Sequence, residues 1–126
     1  YYSLIDIFVV PRITDFASDY VTPMKPFEAM AMRRPLVVSD RPALIEIVGA
    51  NEERGLVFPA GDHVALARKL VELVNEPARA EAIVKAGREW IETSRSWSGT
   101  IKTYEDVYAF ARRQADARQR HGGARG

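Results

Sequence analysis

Apolar residues gather into short unbroken runs in the first half of the chain and into a helical spacing in the second. The run Ile5-Asp6-Ile7-Phe8-Val9-Val10 is apolar on both faces after Asp6 and stops at Pro11, the pattern of a buried parallel strand. A polar loop over residues 12–22 follows, then a helical pattern from Met24 to Met32. Leu36-Val37-Val38 predicts a second short strand. Ser39-Asp40-Arg41-Pro42 opens a short helix through Val48, with Asp40 or Arg41 at its start and Pro42 in its first turn. Gly55-Leu56-Val57-Phe58-Pro59 predicts a third strand, punctuated by Gly61 and by Asp62, a good helix N-cap.

From His63 the period becomes helical, with Leu66, Leu70, Leu73 and Val74 on one face. Pro77 opens the next helix, whose apolar face carries Ile83, Val84, Trp90 and Ile91. A last helix holds Ile101, Tyr104, Val107, Tyr108 and Phe110. Strand, helix, strand, helix, strand and then helices is the order of an α/β protein with a parallel sheet and crossover helices. Three parallel strands leave a bare edge, so the first half of the sheet is expected upstream. The chain starts in mid-pattern without an initiating Met, and is expected to be a piece of a longer protein.

The 126 residues allow one domain at most. Lys and Arg total 18 against 17 Asp and Glu, a balance that calls for neither nucleic acid nor a membrane surface. There is no cysteine, which excludes disulfides and thiolate metal sites. No apolar run reaches the roughly 18 residues of a membrane span. Asp15, Asp19 and Asp40 fit no metal-ligand spacing. His63 and His121 have no catalytic partner at a telling spacing, and Trp90 and Trp97 read as packing residues.

In open α/β sheets ligands bind beyond the carboxyl ends of the strands. That rule brings together residues 11–25, 39–43 and 59–62. The first segment, with Thr22-Pro23-Met24-Lys25-Pro26-Phe27-Glu28, is the most informative, because there a loop becomes a helix. A helix start offers N–H groups and a positive dipole end to a phosphate. Pro23 and Pro26 have no N–H, which leaves those of Met24 and Lys25, the Thr22 hydroxyl and the Lys25 ammonium. Glu28, close to one turn on, suits the vicinal hydroxyls of a ribose. Arg12, at the end of the first strand, is a further phosphate candidate. The ligand so described is a nucleoside diphosphate. Each residue also has a plain structural role: Lys25 as a solvated side chain, Glu28 as a complement to the helix dipole, Arg12 in a surface ion pair.

The segments Asp6-Ile7-Phe8-Val9-Val10-Pro11, Phe27-Glu28-Ala29-Met30-Ala31-Met32-Arg33-Arg34-Pro35-Leu36-Val37-Val38-Ser39-Asp40, Glu46-Ile47-Val48 and Arg54-Gly55-Leu56-Val57-Phe58-Pro59-Ala60-Gly61-Asp62 resemble one family in order and spacing. It is the family 4 (group 1) retaining glycosyltransferases, of the two-domain GT-B fold. The resemblance covers about residues 1–110. It implies a Rossmann-like three-layer αβα fold: residues 1–111 as the second half of the C-terminal donor-binding domain, and residues 112–126 as a disordered Arg-rich tail.

The family carries two glutamates spaced Glu-x7-Glu, and the resemblance places the second, which binds the donor ribose, at Glu28. The first falls at Tyr20, with Asp19 one place away. A subgroup with a Thr-Pro-Leu-Lys-Pro segment is similar here, which gives Lys25 a place in a working variant. The implied substrate is a UDP-, GDP- or ADP-sugar, transferred with retention and without a metal or other cofactor. The implied site is Thr22, Met24, Lys25, Glu28 and Arg12, with no catalytic residue in this piece. The expected partner is an N-terminal acceptor-binding domain of the same protein, met by the segment from Trp97 to Phe110. Further diphosphate-binding Arg and Lys, the acceptor site and a catalytic histidine or its equivalent are expected upstream, so the piece alone is expected to be inactive. The expected compartment is the cytoplasm, and membrane association is expected only through the upstream part. The alternatives are a non-catalytic nucleotide-sugar-binding module, or a sugar-nucleotide epimerase or phosphorylase of the same fold.

Overall fold

The computed structural model describes residues 4–15, 19, 21–94, 101, 104–105 and 107–114. They fall into two compact units, Tyr1–Ile91 and Glu92–Gly126. The first contains a three-stranded sheet in the order β1 (Phe8–Val10), β2 (Leu36–Ser39), β3 (Leu56–Phe58). Both pairings are parallel, with Val9 opposite Val37 and Val38 opposite Val57. Helix α1 (Lys25–Ala31) joins β1 to β2, and α2 (Pro42–Val48) joins β2 to β3. Helices α3 (His63–Asn75) and α4 (Pro77–Ser94) follow.

Side chains alternate across the strands, so each strand feeds two interiors. Leu36, Val38 and Val57 pack with Ala29 and Met30 of α1 and with Leu44, Ile47 and Val48 of α2. Val37, Leu56 and Phe58 pack on the other side with Leu66, Leu70 and Leu73 of α3. Helix α4 serves both interiors: Ala80 and Ile83 join the second, Trp90 and Ile91 the first. This is the helix–sheet–helix layering expected of a Rossmann-like α/β fold. Gly87 lets α4 approach α1, since a Cβ there would sit 3.2 Å from Met30 Cγ.

Local signals explain the boundaries. Pro42 occupies the first turn of α2, where its missing N–H is harmless. Asp62 caps α3 by accepting the Ala65 N–H at 2.8 Å, as its place in the sequence predicts. Helix α1 ends with Arg33 in the left-handed region (φ 54°), with Arg34 N–H bonded to Ala29 O and Arg33 N–H to Met30 O. That is a Schellman ending with an arginine where glycine is usual.

Two expectations change. The first strand is three residues, not six, and its residues are only half-buried. Its ladder begins where Phe8 N–H bonds to Pro35 O. Upstream of Pro35 the chain is the turn that ends α1, so β2 offers Ile5 to Ile7 no partner. Val74 is 69 % exposed rather than part of the packed face of α3. Leu66, Leu70 and Leu73 form that face, and Val74 falls one step round the helix from it. In the second unit the described residues 107–114 are helical. Ile101, Tyr104, Val107, Tyr108 and Phe110 are each more than half exposed. Trp97 and the tail beyond Gln114 lie outside the described residues.

Candidate functional site

Parallel strands direct their carboxyl ends, and the loops that leave them, to one end of the sheet. Here a groove of about 570 Å³ opens between the end of β1 and the start of α1. Its lining is Phe8 to Arg12 on one side and Pro23, Met24 and Lys25 on the other. Three of the five sequence-derived site residues therefore meet in one groove: Arg12, Met24 and Lys25. Thr22 and Glu28 stand outside that lining and are exposed.

The first turn of α1 sets which donors remain. Met24 is its N-cap residue and makes no side-chain cap bond. Pro26 has no N–H and is buried against the core. Phe27 and Glu28 N–H both bond to Met24 O, at 3.0 and 3.3 Å. The N–H groups of Met24 and Lys25, and the Lys25 ammonium, make no hydrogen bond among the described residues. Burial of Pro26, Ala29 and Met30 turns Lys25 and Glu28 outward together. On the inner side Phe27 stacks on Trp90 of α4, with ring centroids 5.9 Å apart. Arg54 lies over the Trp90 ring at 4.5 Å, so Trp90 is the packing residue its sequence context suggests.

Arg12 is already partly engaged. Its Nη1 donates to Val21 O at 2.8 Å and closes the loop between β1 and α1 at its base. A second arginine, Arg41, holds the same loop from the far side. Its Nη1 donates to Thr14 Oγ1 at 2.9 Å and to Asp19 Oδ1 at 3.3 Å. Its Nη2 meets Asp40 Oδ1 at 3.2 Å, and that oxygen also accepts the Ala60 N–H at 2.8 Å. The buried Ser39 hydroxyl bridges to Val10 O at 3.4 Å. The ends of all three strands are thus tied by polar side chains.

The sequence places residues 39–43 at the ligand end of the sheet, with Asp40 or Arg41 as a helix start, but assigns Arg41 no contact there. That position directly after a strand was legible; the partners of Arg41, 22 and 27 residues away, were not. Asp19, one place from Tyr20, is occupied by Arg41; Tyr20 itself lies outside the described residues. Away from the groove, the Glu53 carboxyl is held below the usual carboxylate range. Its own backbone N–H is the main cause, with Asn51 and Arg54 adding to it.

A parallel sheet between helices, with a groove at the carboxyl end of a strand, places the fold in the Rossmann-like class of α/β domains. The sequence profile of the glycosyl transferases group 1 matches residues 1–76, and the chain belongs to that family. It is 35 % identical over 89 residues to the amylovoran biosynthesis glycosyltransferase AmsK of Erwinia amylovora. That match takes in 70 % of this chain and 22 % of AmsK. The fold is similar to that of sucrose-phosphate synthase from Thermosynechococcus elongatus, with a TM-score of 0.72 and 30 % identity. The likeness covers 92 % of this chain and 27 % of the synthase. The chain thus spans about a quarter or less of the length of these relatives.

Proposed function

We propose that this chain is the donor-binding part of a retaining glycosyltransferase, and that the groove beside α1 receives the diphosphate of a nucleotide-sugar. The observation that carries the reading is the convergence of Arg12, Met24 and Lys25 on one groove at the end of β1. Lys25, the N–H groups of Met24 and Lys25, and Thr22 at the loop's end supply the donors for phosphate oxygens. Glu28, facing outward on the same side of α1, accepts from the ribose hydroxyls.

In transfer, the bond from the anomeric carbon to the diphosphate breaks and an acceptor hydroxyl takes its place with retention. Positive groups aimed at the departing oxygens lower the barrier, without a metal ion. The donor is a UDP-, GDP- or ADP-hexose, and the setting is the cytoplasm. The half-exposed strand β1 is the edge across which an upstream half of the sheet continues. The exposed apolar side chains from Ile101 to Phe110 suit docking against an acceptor-binding domain. Alone, the 126 residues bind nucleotide weakly and transfer nothing.

The test uses the full-length protein. UDP, GDP, ADP and their sugar conjugates are titrated by calorimetry, then again with Lys25→Ala and with Glu28→Gln. A loss of about tenfold for the preferred nucleotide, roughly 1.4 kcal/mol, is expected in each variant. If neither change weakens any nucleotide by more than about twofold, the assignment of the groove is wrong.

A further inference from the structure

Arg41 spans a distance in sequence that no local motif covers. Its guanidinium reaches Thr14 and Asp19 in the loop after β1, while Asp40, its neighbour after β2, holds the Ala60 N–H after β3. The side chain is only 16 % exposed, between carboxylates that are 26 % and 41 % exposed. Charge-assisted bonds are stronger where water is partly excluded. The planar fork also matters: one nitrogen serves the loop and the other serves Asp40, an arrangement a lysine cannot copy. Among the described residues of the loop none is in a strand. Anchors among its described residues include Arg12 to Val21 O at the base, Asp19 N–H to Asp15 O, and Arg41.

We propose that Arg41 is a positioning residue of the nucleotide site. It pins the loop after β1 to the ends of β2 and β3, and so fixes the wall of the groove that Arg12 and Met24 form. Arg41 does not line the groove and acts on the ligand only through that loop. The ligand half of the proposal rests on the function proposed above. The loop half stands on the Arg41 contacts alone.

Amide hydrogen exchange and nucleotide titration on the full-length protein separate the two halves. In Arg41→Ala the Asp19 amide exchanges about tenfold faster, while the Val37 and Val38 amides of β2 stay within about twofold of wild type. Arg41→Lys, which keeps the charge and loses the fork, recovers only part of that protection. Asp19→Asn, a change in the loop that spares the core, speeds the same amide and adds nothing further when Arg41 is already alanine. Nucleotide affinity falls about fivefold in Arg41→Ala and in Asp19→Asn. Unchanged exchange at Asp19 in both single variants overturns the pin. Faster exchange with unaltered nucleotide affinity overturns the positioning role. A wild-type protein that binds none of the three nucleotides overturns the reading of the groove and with it the ligand half, while exchange at Asp19 still decides the loop half.

Discussion

Removing one carboxylate, that of Glu52, tests how the free edge of β3 is closed. Glu52 sits in the connection from α2 to β3 with a positive φ of 57°, a conformation disfavoured for a residue with a Cβ. In that position Oε1 accepts the Val57 N–H at 2.7 Å. The same carboxylate meets Lys69 Nζ at 2.9 and 3.1 Å and Arg79 Nη2 at 3.3 Å. Lys69 and Arg79 also pair with Glu72, which links α3 and α4 to the edge. The hydrogen bond from Val57 to an ionised acceptor contributes about 1.5–3 kcal/mol. The two ion pairs, with side chains a quarter to two-fifths exposed, add only about 0.5 kcal/mol each after screening. Water can reach the half-buried Val57 N–H once the carboxylate is gone, which places the total for Glu52→Ala at about 2–3 kcal/mol. For a unit of this size that is a fall in Tm of roughly 10–20 °C. Urea unfolding measures it directly, with a lower midpoint and an unchanged slope. A cycle with Lys69→Met adds a coupling of about 0.5–1 kcal/mol. A loss below about 0.5 kcal/mol in Glu52→Ala, with no coupling to Lys69, refutes the reasoning.

Other consequences are simpler. Asp62→Ala removes the cap of α3 and is expected to lower stability by about 1 kcal/mol, with Asp62→Asn largely restoring it in urea unfolding. Gly49→Ala introduces a side chain at φ 90°, ψ 148°, a region essentially reserved for glycine, and drives its Cβ into the Glu53 carboxylate. A loss of about 1–3 kcal/mol is expected, and a variant as stable as wild type means that this turn is built differently. The Glu53 carboxyl is expected to titrate below 4.5 by NMR. Its folded pKa is depressed, so the stability it contributes is present above the unfolded pKa and lost as pH falls through the folded one. Asn51→Ala moves the folded value upward without restoring it fully, because the backbone bonds remain; an ordinary value in the wild type contradicts the hydrogen-bonding pattern.

Much of this molecule is written in near-neighbour patterns. The apolar run before Pro11, the prolines at the starts of α1, α2 and α4, and Asp62 before His63 act within one helical turn or one strand. They specify the order of elements, the parallel α/β class, and a loop that becomes a helix with Lys25 and Glu28 side by side. The family likeness lies in the same local segments. Other features needed the fold. The length of β1 depends on where its neighbour begins, at Leu36, and no property of residues 5–10 contains that. Val74 has the apolar character of its packed neighbours, and only the docking angle of α3 leaves it in water. Glu52 reaches Val57 because a positive φ turns it toward the strand edge, and it meets Lys69 and Arg79 because two helices pass that edge. Arg41 finds Thr14 and Asp19 across 27 and 22 positions in sequence. Periodicity reports which face a residue occupies within its own element. Polar contacts between elements depend on distances that exist only after the sheet has assembled, and that is why Arg12, Met24 and Lys25 could be singled out from the sequence while the contacts of Arg41 could not.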